Sequence, residues 1–124
     1  MTARRILLVE DDRFLRRACE ASLRQRGFSV AVAVDGEEAL DKVRQARPDL
    51  ILLDLLMPRM TGIEVLRALR AQEPTRGIPV LILSNSSREQ DAEEIRTLGV
   101  SDYLVKANLS LQELGDRVTR LLEG

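Results

Sequence analysis

The chain has 124 residues, 44% of them hydrophobic and 31% charged, which suits one ordinary water-soluble domain with a real core. A net charge of -1 gives no global basic field for nucleic acid, and 2% aromatic residues give no stacking platform for bases. With no His and a single Cys, Ser-His and Cys-His hydrolase chemistry and any internal disulfide are excluded, and a zinc cluster is disfavoured.

The first predicted strand is Arg5–Val9, and it runs straight into Glu10, Asp11 and Asp12. Acids directly after so short an apolar run leave no room for the apolar stretch of a signal peptide. No apolar run approaches the roughly 18 residues of a membrane span either. We therefore expect a cytoplasmic protein without a membrane partner. Cys19 falls inside the helix that follows, where it reads as a small buried thiol rather than a nucleophile.

Gly27 ends that helix, and Phe28–Val34 forms the second strand. Val30, Val32 and Val34 alternate there with Ala31 and Ala33, the pattern of an edge strand. Asp35 with Glu38 marks the start of the second helix, and Pro48 closes it. Leu50–Leu53 is a third strand, apolar on both faces as parallel strands are, and it ends at Asp54. Thr61 with Glu64 opens the third helix, and Gly77 follows it. Val80–Leu83 is the fourth strand and ends at Ser84. Ser86 with Glu89, or Ser87 with Gln90, opens the fourth helix, and Gly99 follows it. Asp102–Val105 is the fifth strand and ends at Lys106. Ser110 with Glu113 opens the last helix, whose Leu111, Leu114, Val118, Leu121 and Leu122 share one face. Gly115 inside it should cost about 1 kcal/mol against Ala.

Alternating strands and helices imply right-handed crossovers and a single parallel sheet covered on both faces. No linker, repeat or low-complexity tract interrupts the pattern, so residues 1–124 read as one domain. Such five-stranded doubly wound sheets commonly take the order 2-1-3-4-5, with a crevice at the carboxyl ends of the first and third strands. That edge would gather Asp11, Asp12, Asp54, Ser84 and Lys106.

Clustered carboxylates repel one another unless a cation joins them, and oxygen-only ligands favour a hard ion such as Mg²⁺. Asp is also a common helix N-cap, but the recurrence of Asp54 at the neighbouring strand end favours the cation site for the Asp11–Asp12 pair. Glu10 reads as a solvated neighbour. Asp54, the most enclosed acid, is the candidate nucleophile. Ser84 and Lys106 supply a hydrogen-bond donor and a point charge for phosphoryl oxygens.

The ordered set ILLVEDD, PDLILLDLLMPRMTG, PVLILSNSS and GVSDYLVKA resembles the response-regulator receiver domain of two-component signalling across essentially the whole chain. The resemblance implies a flavodoxin-like (βα)5 sheet, an order known from a chemotaxis regulator of that class. It implies that Asp54 takes a phosphoryl group from a phosphohistidine on a sensor histidine kinase or histidine phosphotransfer protein. Asp12, Asp54 and the Leu56 backbone carbonyl would bind Mg²⁺ directly, and Asp11 largely through water. Ser84 and Lys106 would engage the phosphoryl oxygens, and Tyr103 would be the switch aromatic. The surface of the fourth helix, fifth strand and fifth helix would then change and meet a downstream protein partner. Homodimers through that surface are a habit of the family. On this reading the chain is a signalling switch that catalyses only its own phosphorylation and dephosphorylation.

Three departures from the family pattern stand out. Ala107 replaces the usual Pro after the lysine; the need of Lys106 to point into the site favours a cis Lys106–Ala107 bond at a cost of roughly 2.5–4 kcal/mol. Asn85 is bulkier than the usual residue beside the switch hydroxyl. Leu56 is apolar and cannot orient an attacking water, so the phosphoryl group should be lost slowly. Two other readings compete. A phosphorylation-independent scaffold is opposed by the intact acid, hydroxyl and lysine set. A phosphohydrolase of the haloacid-dehalogenase type would need an acid where Leu56 stands. Direct DNA binding lacks a basic recognition helix.

Overall fold

A computed structural model of the chain describes residues 3–57, 59–85 and 92–123. Pro58 and the helix start read at Ser86–Glu89 or Ser87–Gln90 lie outside the described residues.

Five strands form one parallel sheet: β1 (Arg5–Val9), β2 (Ser29–Ala33), β3 (Leu50–Asp54), β4 (Val80–Ser84) and β5 (Asp102–Val105). Their order is β2-β1-β3-β4-β5, as the repeated strand–helix pattern predicts. The helices are α1 (Arg13–Gln25), α2 (Gly36–Gln45), α3 (Gly62–Ala71), α4 (Ala92–Leu98) and α5 (Leu111–Glu123). A further helical turn, Glu73–Arg76, follows α3, and a 3₁₀ turn, Lys106–Asn108, follows β5. Neither turn is in the sequence reading, because each is too short to carry a hydrophobic period.

The sheet divides the core by the period-two rule. Leu7, Val9, Ile51, Leu53, Val80 and Ile82 face one side, where Ala39 and Val43 of α2, Ile63, Leu66 and Leu69 of α3, and Ile95 of α4 cover them. Ile6, Leu8, Leu50, Leu52, Leu81 and Leu83 face the other, under Cys19 and Leu23 of α1 and Leu114, Val118 and Leu122 of α5. Burying each such Val, Leu or Ile side chain stabilises the fold by about 1.5–3 kcal/mol. β2 is an edge strand, as its alternation suggests, but it stops short of Phe28 and Val34. β3 and β4 are each one residue longer than expected, so Asp54 and Ser84 are the last paired residues of their strands.

The helix starts follow their caps. Asp12, Asp35 and Thr61 accept from the backbone N–H groups of Leu15, Glu38 and Glu64, and Ser110 accepts from that of Glu113. Thr61 and Glu64 complete a reciprocal capping box. Gly62 opens α3 against the strand that carries Asp54. A Cβ there would stand 2.2 Å from the Asp54 carbonyl oxygen and 2.7 Å from Leu55 Cα, so only glycine allows this approach.

Cys19 is fully buried. Burial, then the nearby Glu10 charge, pushes its thiol up to about 11 against the opposing pull of Lys106, so it stays protonated and inert. No helix among the described residues is long and apolar enough to cross a membrane.

Candidate functional site

In-register pairing aligns the strand ends. Val9 lies beside Leu53, Asp54 beside Leu83, and Ser84 beside Val105, so the residues that finish β1, β3, β4 and β5 meet at one edge. Glu10 extends that ladder, its N–H donating to the Ala33 carbonyl at 3.0 Å.

Lys106 joins two of the acids. Its ammonium lies 2.8 Å from Glu10 Oε1 and 3.1 Å from Asp54 Oδ1. Glu10 is fully buried and Asp54 is 1% exposed. Asp54 Oδ1 also accepts from the Leu56 N–H at 3.2 Å, and Glu10 Oε2 accepts from the Asp12 N–H at 3.0 Å. Among the described residues, Glu10 Oε1 and Asp54 Oδ2 are the buried side-chain oxygens with no formed hydrogen bond. Glu10 Oε1 has the ion-pair contact with Lys106 but not hydrogen-bond geometry.

Glu10, exposed Asp11 and buried Asp54 each bring one carboxylate oxygen into a group within 4.8 Å of one another. An orphan buried oxygen, Asp54 Oδ2, in such an all-oxygen group fits a hard divalent cation. This group differs from the expected one. Asp12 is not in it: its Oδ1 accepts from the Leu15 N–H at 3.1 Å and caps α1. Glu10, read as solvated, is instead at the centre. The period-two rule carries the missed signal, since residues 6, 8 and 10 share a face and Ile6 and Leu8 point into the core.

The charges explain the titration. Burial first, then the Glu10 charge, raises the Asp54 carboxyl to about 7, while Lys106 and the Leu56 N–H pull it the other way. For Lys106, burial works against the charged form, but the close contact with Glu10 and the charges of Asp54 and Glu10 outweigh it and raise the ammonium above its usual value. An ammonium held charged between two carboxylates suits stabilisation of phosphoryl oxygens.

Ser84 is fully buried at the end of β4, and Tyr103 is half-buried on β5 against the α2–α4 side of the core. Leu56 and Asn85 are exposed on the rim. The Lys106–Ala107 bond is trans, since no cis bond occurs among the described residues, and this corrects the expected cis form. The 3₁₀ turn that begins at Lys106 and the flexible four-carbon stem bring the ammonium to both acids without it. One unpredicted contact steadies the loop after Asp54. Arg59, in the left-handed region at φ 68°, donates to the buried Asp35 at 3.0 Å and so ties the loop to the start of α2.

A parallel sheet with this order and acids at the crevice defines a class, and the comparisons agree: the family model for the response regulator receiver domain matches residues 6–119. The chain belongs to that family. It is 42% identical over 120 residues to response regulator MprA of Mycolicibacterium vanbaalenii, covering 95% of this chain and 50% of the relative. It is 43% identical over 122 residues to transcriptional regulatory protein PrrA of Mycobacterium tuberculosis, covering 98% of this chain and 51% of that one. The chain thus spans about half the length of these curated relatives. Among solved structures, the chemotaxis response regulator CheY4 of Vibrio cholerae superposes with a TM-score of 0.89 at 33% identity, covering 98% of this chain and all of the other. The receiver domain of sensor histidine kinase PA1611 from Pseudomonas aeruginosa, solved with a magnesium ion coordinated in its active-site cleft, has a TM-score of 0.88 at 32% identity, covering 99% and 100%.

Proposed function

We propose that this receiver domain takes a phosphoryl group from a phosphohistidine onto Asp54 and answers by a change of its α4–β5–α5 surface. One observation carries the reading. Asp54 is a buried carboxylate with Oδ1 fixed by Lys106 and the Leu56 N–H, and with Oδ2 left without a partner. In the transfer, Oδ2 attacks phosphorus, the O–P bond forms as the N–P bond of the phosphohistidine breaks, and the leaving imidazole keeps the electron pair and takes up a proton. Lys106 faces the charge that spreads over the phosphoryl oxygens. Ser84, at the end of the intervening strand, donates to one of them, and Tyr103 follows its movement inward.

Asp11 and Asp54, with Glu10 and the Leu56 carbonyl, are the groups that would hold Mg²⁺, whose chemistry is to neutralise charge on the transferring group. Asp11 takes the direct role that the sequence assigns to Asp12. The phosphoryl donor is a sensor histidine kinase or a histidine phosphotransfer protein. The output from this stretch of chain passes to a protein partner or a second copy through the α4–β5–α5 surface.

Intact mass after incubation with acetyl phosphate tests the reading. Wild type should gain one phosphoryl group only with Mg²⁺, and Asp54→Asn should gain none. Equal labelling of the variant would place the acceptor elsewhere.

A further inference from the structure

The two acids that follow β1 are held from behind. Arg16, half-buried in the second turn of α1, aims one guanidinium nitrogen at two backbone carbonyls. Its Nη1 donates to the Glu10 carbonyl at 3.0 Å and to the Asp11 carbonyl at 3.3 Å. These belong to the two residues whose carboxylates converge with that of Asp54.

We infer that Arg16 is a positioning residue, which fixes the Glu10–Asp11 backbone so that both carboxylates converge on the cation that Asp54 shares. The inference rests on the proposed Mg²⁺ site. Like charges within 4.8 Å push apart, and the backbone that carries them is a loop between β1 and α1. A donor shared by both peptide units opposes that splaying. Groups that orient metal ligands in this way typically change metal affinity 10–100-fold when removed.

The charge of Arg16 argues the other way, which makes the inference sharp. A guanidinium beside a cation site repels the cation, so as a mere charge Arg16 weakens Mg²⁺ binding and its removal strengthens it. As a positioning group it strengthens binding and its removal weakens it. A purely structural role predicts a third pattern, a lower melting temperature with the affinity of the folded protein unchanged.

Titration calorimetry with Mg²⁺ on the whole chain, beside metal-free thermal melts, separates these roles. Arg16→Gln should bind Mg²⁺ about tenfold more weakly than wild type. Arg16→Lys keeps the charge but ends one bond short of the place of Nη1, and should also bind more weakly. Equal or tighter binding by folded Arg16→Gln overturns the inference. If that variant does not fold, wild-type affinity in Arg16→Lys overturns it instead. Wild type that takes up no Mg²⁺ removes the proposed site, and the inference with it.

Discussion

A carboxylate with 1% exposure beside a second buried acid carries an electrostatic cost in the metal-free protein, and Asp54 carries most of it. Its ordinary value is 3.8 and the folded value is about 7, so the folded state binds the proton more tightly. Below the ordinary value the group is neutral in both states and costs nothing. Between there and about pH 7 the unfolded chain ionises first, and metal-free stability falls as pH rises. Asp54→Asn should therefore stabilise the metal-free protein by on the order of 2 kcal/mol above pH 7, with the gain fading toward about pH 4. Urea melts across that range check this, and a gain independent of pH would count against it. Leu56 makes a second prediction. It is 59% exposed on the rim of the site and offers no hydrogen bond to a hydrolytic water. Leu56→Asn should shorten the phosphoryl lifetime, read as the decay of the phosphorylated mass, while a lifetime of seconds unchanged by the substitution would refute it. The acids themselves were visible in the sequence, and the two-residue period of β1 marks Glu10 as inward, but residue type does not separate Asp11 from Asp12. Asp11 and Asp12 are alike in type, and only the phase of the strand and the first turn of α1 assign Asp12 to the cap.

Gly115 looks like a defect when α5 is read alone. In the fold it is a groove for Arg26, which ends α1 and lies across the helix. Its guanidinium donates to the Gln112 carbonyl at 3.1 Å and pairs with Asp116 at 3.0 Å. A Cβ on residue 115 would meet Arg26 Nε at 2.2 Å. That atom is at the far end of a flexible side chain, so a methyl group displaces it rather than breaking the helix. Gly115→Ala should gain little in wild type, and close to the full ~1 kcal/mol of helix propensity in an Arg26→Ala background. A double-mutant cycle by chemical denaturation measures the difference, and additivity of the two substitutions would refute the account. No helix-periodic pattern in α5 reveals this, because the partner lies 89 positions away by number, from 26 to 115. The strands, by contrast, were legible almost to the residue. β1, β3 and β4 are uninterrupted apolar runs, and a strand buried on both faces needs little else.

Across the molecule, Arg70 ties two connections at the edge remote from the acids. It donates to the carbonyls of Arg76 and Ile78 before β4, and to those of Leu98 and Gly99 where α4 ends, all at 2.9–3.0 Å. Arg70→Met should cost about 2 kcal/mol, because the carbonyls lose their donor together, and Arg70→Lys should not restore it. Urea unfolding of both variants checks this, and wild-type stability in either would refute it. The strand order followed from the repeated strand–helix pattern, and the family from four motifs in sequence. The Arg70 ties join segments distant in sequence and have no local signature, whereas the trans Lys106–Ala107 bond is the ordinary preference of a peptide that does not precede proline. One buried side chain bears on how the switch can be watched. Cys19 is the only thiol in the chain, fully enclosed and held protonated. This chain is therefore a background that needs no cysteine removed before labelling. A cysteine introduced at an exposed position such as Ala107 or Glu123 would be the single site open to a maleimide dye or spin label, and its signal would report on the α4–β5–α5 side alone.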